Sequence, residues 1–331
     1  AVSAYETRAS GIPWNFSPVL DLGRQPLWSR FFETFGEDVL LANKMTVAAI
    51  SGLQGDNQYS PYHVAACMKH FLGYSMSLSG KDRTPIWLSE REMREYYLPT
   101  FQTAIKQGAK TVMINSADIN GTPVHANYDI LTTVLRNELG FKGVAVTDWE
   151  DIYKLVDMHH VAANKKEAVY MAIMAGIDMS MTPNDYQFTD LLIELIKEGR
   201  IPMTRIDSSV SRILTLKYEL GLFETKDTQT KYPLFGSSEH AAKSLAVASE
   251  CITLLKNNKQ TLPLKNKNES IFVCGPGANS LNYLNGAWTH TWQGVDTNFN
   301  TKNKLTTLAA IQKFAGANRV AFAAGTSIDQ I

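Results

Sequence analysis

The stretch that decides the fold is Gly143-Val144-Ala145-Val146-Thr147-Asp148-Trp149. Its middle is short, apolar and rich in β-branched residues, and it follows a glycine, which together predict a buried parallel strand. Asp148 therefore stands at the carboxyl end of a strand, where barrel enzymes carry their functional groups. An aspartate at this point could equally be the N-cap of the following helix, so the rest of the chain has to decide between the two interpretations.

The same pattern recurs on both sides of Asp148. Strand-like runs alternate with segments of helical periodicity, and repeated βα units predict a parallel sheet with right-handed crossovers. The polar residues at the carboxyl ends of the strand-like runs are Asp21, Lys69, His70, Asn115, Asp148 and Asp178. An open sheet concentrates its site at one switch point, whereas a barrel draws residues from many strands, so this spread favours a barrel. About five strands are convincing where a full barrel has eight, so we expect an incomplete barrel.

The chain also divides along its length. Residues 1–222 hold the alternating pattern and are predicted to form the barrel domain, incomplete at its N-terminal side. Residues 223–245 are predicted to be a linker, because most of this segment is polar and low in aliphatic residues. Residues 246–331 restart an α/β pattern and stop just after a strand. We therefore expect a second α/β domain that is incomplete at its C-terminal side, and a chain that is an internal fragment of a longer protein.

Composition excludes several classes of function. The 331 residues contain 32 Lys and Arg against 32 Asp and Glu, so no basic field argues for a nucleic-acid partner. No apolar stretch reaches membrane-spanning length, so no membrane insertion is expected. The cysteines Cys67, Cys251 and Cys274 lie far apart and make neither a disulfide framework nor a metal-spaced cluster. No motif calls for a cofactor or a metal ion.

Two basic segments are candidates for binding hydroxyl groups. Lys69 and His70 can both hydrogen-bond to a sugar; the alternative is a histidine bonded to the backbone beside a surface lysine. The Gly- and Ser-rich loop that follows ends in Lys81-Asp82-Arg83, which could be functional or a solvated charge run. Arg30 could clamp vicinal hydroxyls with its guanidinium group, or simply pair with Glu33 or Glu37.

Two tryptophans stand in a loop of the second domain. Trp288 and Trp292 lie in Gly286-Ala287-Trp288-Thr289-His290-Thr291-Trp292-Gln293-Gly294, which is not core spacing. Aromatic faces stack on the apolar faces of pyranose rings, and the alternative is a packed hairpin. Other enzyme motifs are missing: there is no G-x-S-x-G and no H-E-x-x-H, and Gly275-Pro276-Gly277 lacks the third glycine of a dinucleotide turn.

Taken in order, these segments resemble glycoside hydrolase family 3, the retaining β-glucosidases and exo-β-glucanases. The resemblance runs nearly end to end and includes the strand-and-Asp segment, the W-x-R…G-E-D stretch, the Lys-His-Phe motif, the nucleophile region and the second-domain tryptophan loop. These are residues 14–21, 28–38, 69–74, 112–152 and 286–294.

The resemblance implies a (β/α)8-type barrel followed by an αβα sandwich whose loops complete the pocket. By this resemblance Asp148 is the catalytic nucleophile, and the side chains that hold the glucose are Arg30, Lys69 and His70. Trp149 and Trp292 would sandwich the next sugar, with Trp288 close by.

Three features depart from the family pattern. A family member normally has a strand-end aspartate in an earlier βα unit, and nothing before Ala1 supplies it. The family's general acid/base is a glutamate in the second domain, and no glutamate follows Glu269 here. Many relatives carry a tyrosine where this chain has Ser116. We therefore predict that no carboxylate within the chain lies, in a productive position, at the roughly 5–5.5 Å from the nucleophile that retaining chemistry requires.

The predicted function is release of terminal β-D-glucose from β-glucosides or β-glucan oligosaccharides by double displacement, with Asp148 as nucleophile. Two alternatives remain open, a β-xylosidase of the same family and a sugar-binding protein without turnover. An N-acetylglucosaminidase is less favoured, because the loop after Lys69-His70 lacks the histidine that this branch uses. The family resemblance implies a secreted or periplasmic protein.

Overall fold

A computed structural model describes residues 1–56, 60–224, 231–264 and 269–325. The chain forms two compact units, residues 1–247 and 248–331. Part of the predicted linker, residues 225–230, and the last segment, residues 326–331, lie outside the described residues. The boundaries at 222 and 245 between barrel, linker and second domain stay a prediction.

The first unit contains a parallel sheet in the order β1, β2, β3, β6. Its strands are β1 (Trp14–Asn15), β2 (Ala65–Phe71), β3 (Thr111–Ile114) and β6 (Val144–Val146); a separate hairpin has β4 (Asp118–Ile119) and β5 (Thr122–Pro123). Val146 also forms a parallel bridge with Met179, which adds a fifth strand position beside β6. Every residue of β2, β3 and β6 is buried, because helices and the sheet interior cover both faces.

Helices follow the strands as the periodicity predicts. Those of the first unit are α1 (Val2–Ala9), α2 (Val39–Gln54), α3 (Glu90–Glu92), α4 (Leu98–Lys106), α5 (Asp151–Asp157), α6 (Lys165–Ala175), α7 (Gln187–Lys197) and α8 (Met203–Glu219). The first unit also contains two π-helices, Met93–Tyr97 and Asp129–Glu138. The predicted capping box at Ser89 and Glu92 is confirmed. Helix α9 (Ser238–Glu250) crosses from the first unit into the second.

Close backbone packing sets the spacing between β3 and β6. Gly143 precedes β6, and a Cβ atom at this position would collide with the carbonyl oxygen of Lys110. The side chain of Gln54 joins neighbouring strands by accepting hydrogen bonds from the backbone N–H groups of Ala66 (3.2 Å) and Lys110 (3.1 Å). Phe71 packs edge-on against Phe101, with ring centroids 5.1 Å apart. The contacts of Gly143 and Gln54 thus hold the amino ends of β2, β3 and β6 together, and Phe71 packs at the carboxyl end of β2.

The predicted position of Asp178 at the carboxyl end of a strand is wrong, because Met179, the residue after it, is the one that bridges to β6. The backbone N–H of Asp178 donates to the carbonyl of Ala145, so this aspartate lies level with the first half of β6, short of Asp148. Its buried carboxylate accepts hydrogen bonds from three arginines and a serine. We call this group the Asp178 cluster; its members are Arg136, Asp178, Arg205, Ser209 and Arg212. It ties helix α8 and the Asp129–Glu138 helix to the sheet.

The second unit has two parallel strands, β7 (Ile271–Cys274) and β8 (Val320–Ala323), paired from Ile271 and Val320 onward. Helices α10 (Leu281–Asn285) and α11 (Thr307–Ala315) lie between them in sequence. Strand, helix and parallel strand in this order form the α/β unit that the sequence predicts. Within the described ranges, none of the helices is both long and apolar enough to cross a membrane.

Candidate active site

Asp148 directly follows β6 and Thr147, and its side chain is 14% exposed. Its Oδ1 accepts a hydrogen bond from the backbone N–H of Trp149 (2.5 Å), and its Oδ2 accepts one from Oγ of Ser116 (3.1 Å). Helix α5 begins three residues later without a side-chain cap bond. The interpretation of Asp148 as a helix N-cap is therefore wrong, and its carboxylate is available for chemistry.

The surroundings of Asp148 keep its carboxylate ionised. Burial alone would raise its pKa, but the Arg83 guanidinium, the Trp149 N–H and the more distant charges of Arg30 and Lys69 together lower this pKa below its usual range. An ionised carboxylate in a largely water-excluded pocket is what a nucleophile requires.

The ring of His70 faces Oδ2 of Asp148. Oδ2 of the buried Asp21 accepts hydrogen bonds from the backbone N–H of His70 (3.0 Å) and from its Nδ1 (2.8 Å), and this orients the ring. Nε2 of His70 lies 3.8 Å from Oδ2 of Asp148. Burial lowers the pKa of His70 well below its usual value and raises that of Asp21 to about 7. A neutral ring with Nδ1–H directed at Asp21 leaves Nε2 as an acceptor.

This Nε2 is buried and has no hydrogen-bond partner within the described part of the chain. It faces Oδ2 of Asp148, so a hydroxyl group placed between them can donate to either atom. The predicted role of His70 in binding a substrate hydroxyl fits this geometry, and the alternative of a histidine whose ring bonds the backbone does not.

Lys69 and Arg30 lie in the same charged region. Lys69 is 8% exposed, so it is not the surface lysine of the alternative interpretation, and burial lowers its pKa. Arg30 makes a bidentate pair with Glu33 through Nε (2.8 Å) and Nη2 (2.9 Å). The predicted ion pair with Glu33 is thus present. It does not remove Arg30 from the site, because the Arg30 charge still lowers the pKa of Asp148.

The structure adds two charged residues that the sequence analysis did not assign to the site. Nη2 of Arg83 lies 3.5 Å from Oδ1 of Asp148, and Nε of Arg83 lies 3.4 Å from Oδ1 of Asp151. Asp151 is 1% exposed on its side chain. The sequence marks Lys81-Asp82-Arg83 as a charge run in a glycine-rich loop, but nothing in its spacing shows that the loop folds back to β6.

The three tryptophans fall into two groups. Trp149 is 50% exposed beside Asp148, which leaves its ring free for stacking. Trp288 and Trp292 belong to the second unit, where the Trp288 N–H donates to the Trp292 carbonyl (2.8 Å) across a tight turn. Their rings are 6.4 Å apart and mostly exposed, so the packed-hairpin alternative does not describe their side chains. Their predicted contact with substrate stays a prediction.

In the ranges that the structure describes, no group of three or more His, Cys, Asp or Glu side chains could hold a metal ion.

Comparison with known proteins agrees with this geometry. The model of the glycosyl hydrolase family 3 N-terminal domain matches residues 1–216, and that of the family's C-terminal domain matches residues 252–329. The chain belongs to glycosyl hydrolase family 3. Its fold is α/β, with a (β/α)8-type barrel followed along the chain by an αβα sandwich.

Three similar proteins illustrate the relationship. A lysosomal beta glucosidase of Dictyostelium discoideum is 48% identical over 89% of this chain and 37% of its own length. A beta-xylosidase of Formosa agariphila is 39% identical over 83% of the chain and 40% of its own length. The crystal structure of a beta-glucosidase from Listeria innocua in complex with isofagomine has a TM-score of 0.84 and 33% identity, covering 97% of this chain and 44% of that one. The chain thus spans less than half the length of each.

Proposed function

We propose that this family 3 chain carries the nucleophile of a retaining β-glucosidase that releases terminal β-D-glucose from β-glucosides or β-glucan oligosaccharides. The observation that carries the proposal is the state of Asp148: a partly buried carboxylate after a strand end, hydrogen-bonded on both oxygens, facing His70 and with a lowered pKa. The relatives named as β-glucosidases support glucose as the sugar.

In the proposed reaction, Asp148 attacks the anomeric carbon while the bond from that carbon to the glycosidic oxygen breaks. The leaving oxygen takes a proton from a carboxylic acid, and water then hydrolyses the covalent glycosyl-enzyme with net retention. Nε2 of His70 accepts a hydrogen bond from a sugar hydroxyl, and Lys69 donates one. Arg30, oriented by Glu33, adds positive charge beside the carboxylate.

The identity of the general acid is not part of this proposal. Within the described residues, Asp21 is linked to Asp148 through His70, and the carboxylates of Asp82 and Asp151 are linked to it through Arg83. All three already accept hydrogen bonds or ion pairs. That no carboxylate of this chain serves as the acid stays a prediction. Loss of a general acid typically costs about 10²–10⁴-fold, and less for good leaving groups.

The substrate contacts beyond the first sugar are also proposed. We place the next sugar on the exposed face of Trp149, with Trp288 and Trp292 as further stacking residues. No nucleic acid or membrane is proposed as a partner. A secreted or periplasmic location is proposed, supported by the name of the lysosomal relative, which is a protein of a compartment outside the cytosol.

The decisive experiment is intact and peptide mass spectrometry after incubation with 2,4-dinitrophenyl 2-deoxy-2-fluoro-β-D-glucoside. The fluorine slows breakdown of the covalent intermediate, and the leaving group makes general-acid help unnecessary. We expect a fluoroglucosyl adduct on the peptide that contains Asp148, and none in Asp148→Asn.

The matching fluoroxyloside tests the β-xylosidase alternative, which the Formosa relative supports. Faster labelling by the xyloside would replace glucose by xylose in the proposal. A folded protein that neither reagent labels would refute the enzymatic function. Binding of cellobiose by that protein, measured by calorimetry, would then support the sugar-binding alternative.

A further inference from the structure

The guanidinium group of Arg83 contacts three carboxylates with three different nitrogens. Nη1 pairs with Oδ2 of Asp82 (3.0 Å), Nη2 with Oδ1 of Asp148 (3.5 Å) and Nε with Oδ1 of Asp151 (3.4 Å). The side chain of Arg83 is 20% exposed. We call these four residues the Arg83 clamp. Arginine reaches the three carboxylates from three nitrogens of one rigid, planar group, whereas a lysine would have to reach all of them from a single nitrogen, so lysine is not equivalent here.

Both outer members of the clamp are themselves held. The Asp82 carboxylate also accepts a hydrogen bond from the buried Tyr74 hydroxyl (2.6 Å). The Asp151 carboxylate is 1% exposed, pairs with Nζ of Lys154 (2.7 Å) and lies 3.8 Å from Nε2 of His125. The guanidinium is therefore anchored from the loop after β2 and from the first turn of α5. Its third contact, to Asp148, is the one that meets the reacting group.

The contacts of Asp148 divide between its two oxygens. Oδ1 receives the Trp149 N–H and faces Arg83, whereas Oδ2 receives the Ser116 hydroxyl and faces His70. Rotation of the carboxylate about its Cβ–Cγ bond would break contacts on both sides at once. The plane of the carboxylate is thus set by the protein before any substrate binds.

We propose that Arg83 is a positioning residue for the nucleophile: it fixes the plane and charge of the Asp148 carboxylate, and Asp151 holds the guanidinium in place from behind. This inference rests on the proposed function, because it assigns Asp148 the role of nucleophile. The simpler alternative is that Arg83 only ties its loop to the barrel.

The first test measures the titration of Asp148 directly, without turnover. The side-chain carboxyl carbon of Asp148 is followed by NMR in protein labelled with ¹³C-aspartate, with Asp148→Asn for assignment. The charged and titratable groups that interact with this carboxylate are Arg30, Cys67, Lys69, His70, Tyr74, Arg83 and His125, and the carboxylates of Asp82 and Asp151 lie on the far side of Arg83. Loss of an opposite charge at this distance moves a titration midpoint up by about one pH unit or more, so we expect that rise in Arg83→Gln.

A second variant is expected to shift the titration midpoint of Asp148 in the opposite direction. Asp151→Asn removes a negative charge from the far side of Arg83, so the midpoint of Asp148 should fall. The control is Arg91→Gln, which removes an arginine whose side chain is 89% exposed and paired with Glu95. It should leave the midpoint unchanged. Midpoints that stay at the wild-type value in both clamp variants would overturn the proposal.

The third test separates position from charge. Arg83→Lys keeps the positive charge but has a single nitrogen for the three carboxylates, so its Asp148 midpoint should stay near that of the wild type. Its rate of labelling by the fluoroglucoside at pH 7 should still fall, by about 10²-fold if the carboxylate is displaced by about 1 Å. Labelling of this variant at the rate of Arg91→Gln would overturn the positioning role.

The two proposals can fail separately. If the wild type is folded but not labelled, the proposed function fails, and the paired midpoints of Arg83→Gln and Asp151→Asn still decide whether the clamp controls Asp148. If Arg83→Gln does not fold, Asp151→Asn and Arg83→Lys give the answer. Labelled wild type with unchanged midpoints and an undiminished Arg83→Lys rate would leave the function standing and remove Arg83 from it.

Discussion

Replacement of Asp178 by asparagine tests the inference that the Asp178 cluster stabilises the fold and is separate from the chemistry at Asp148. The Asp178 side chain is fully buried. It accepts hydrogen bonds from Arg136 (2.6 Å), Arg212 (2.8 Å) and Ser209 (2.6 Å), with Arg205 at 3.5 Å. Asparagine has nearly the same shape but no charge, and it directs an N–H group at one of the arginines.

The expected cost follows from these contacts. Removing one partner of a buried ion pair destabilises a protein by about 3–5 kcal/mol, because the remaining charge is left uncompensated. Arg136 and Arg205 keep backbone carbonyl partners, so their donors stay partly satisfied. Their charges, however, lose the only carboxylate of the Asp178 cluster. We therefore expect Asp178→Asn to lose about 3–5 kcal/mol of unfolding free energy.

The assay combines urea unfolding with the labelling of Asp148. The control is Asp185→Asn, which breaks the more exposed pair with Lys165 and should change the unfolding free energy much less. Below the unfolding transition, Asp178→Asn should label at the rate of Asp185→Asn. A variant with wild-type stability but much slower labelling would refute the reasoning, because it would show that Asp178 acts on the chemistry and not on the fold.

Two further predictions concern the strand ends. Ser116→Ala removes a hydrogen bond to the charged form of Asp148, worth about 1.5–3 kcal/mol, so the pKa of Asp148 rises and the acidic limb of its labelling rate moves to higher pH by about 1–2 pH units. Ser77→Ala, which removes a buried hydroxyl, is the control, and coincident limbs would contradict the prediction. Gly143→Ala places a methyl group against the Lys110 carbonyl, so it should lower the free energy of unfolding by about 1–3 kcal/mol, measured by urea unfolding. An unchanged urea midpoint would show that β3 and β6 can move apart.

The strand that ends at Asp148 could be predicted from local pattern alone. Its residues are apolar and β-branched and follow a glycine, and in the structure they form β6, buried throughout. Lys69 and His70 could be placed at a strand end for the same reason. The segment that ends at Asp21 is less regular: β1 covers only its first two residues, and the rest pairs with β2 through a bridge at Val19 and separate backbone hydrogen bonds.

The Arg83 clamp could not be predicted in this way. Its members come from the loop after β2 and from the segment after β6, and sequence spacing carries no distance between them. The position of Asp178 was predicted wrongly for a related reason, because sequence does not show how far along the sheet a strand-end residue lies. A strand-end aspartate looks alike in sequence whether it lies level with Asp148 or three residues earlier, level with Ala145, where three arginines pair with it.

The sequence by itself determined most of the elements, the family resemblance and the strand end proposed to carry the nucleophile, because periodicity, glycine positions and motif residues are local properties of the chain. Tertiary structure decided which charges face one another. Whether a carboxylate is ionised, and whether an arginine supports catalysis or only the fold, depends on burial and on distances of a few ångströms, and both arise when strands and loops far apart in sequence pack together.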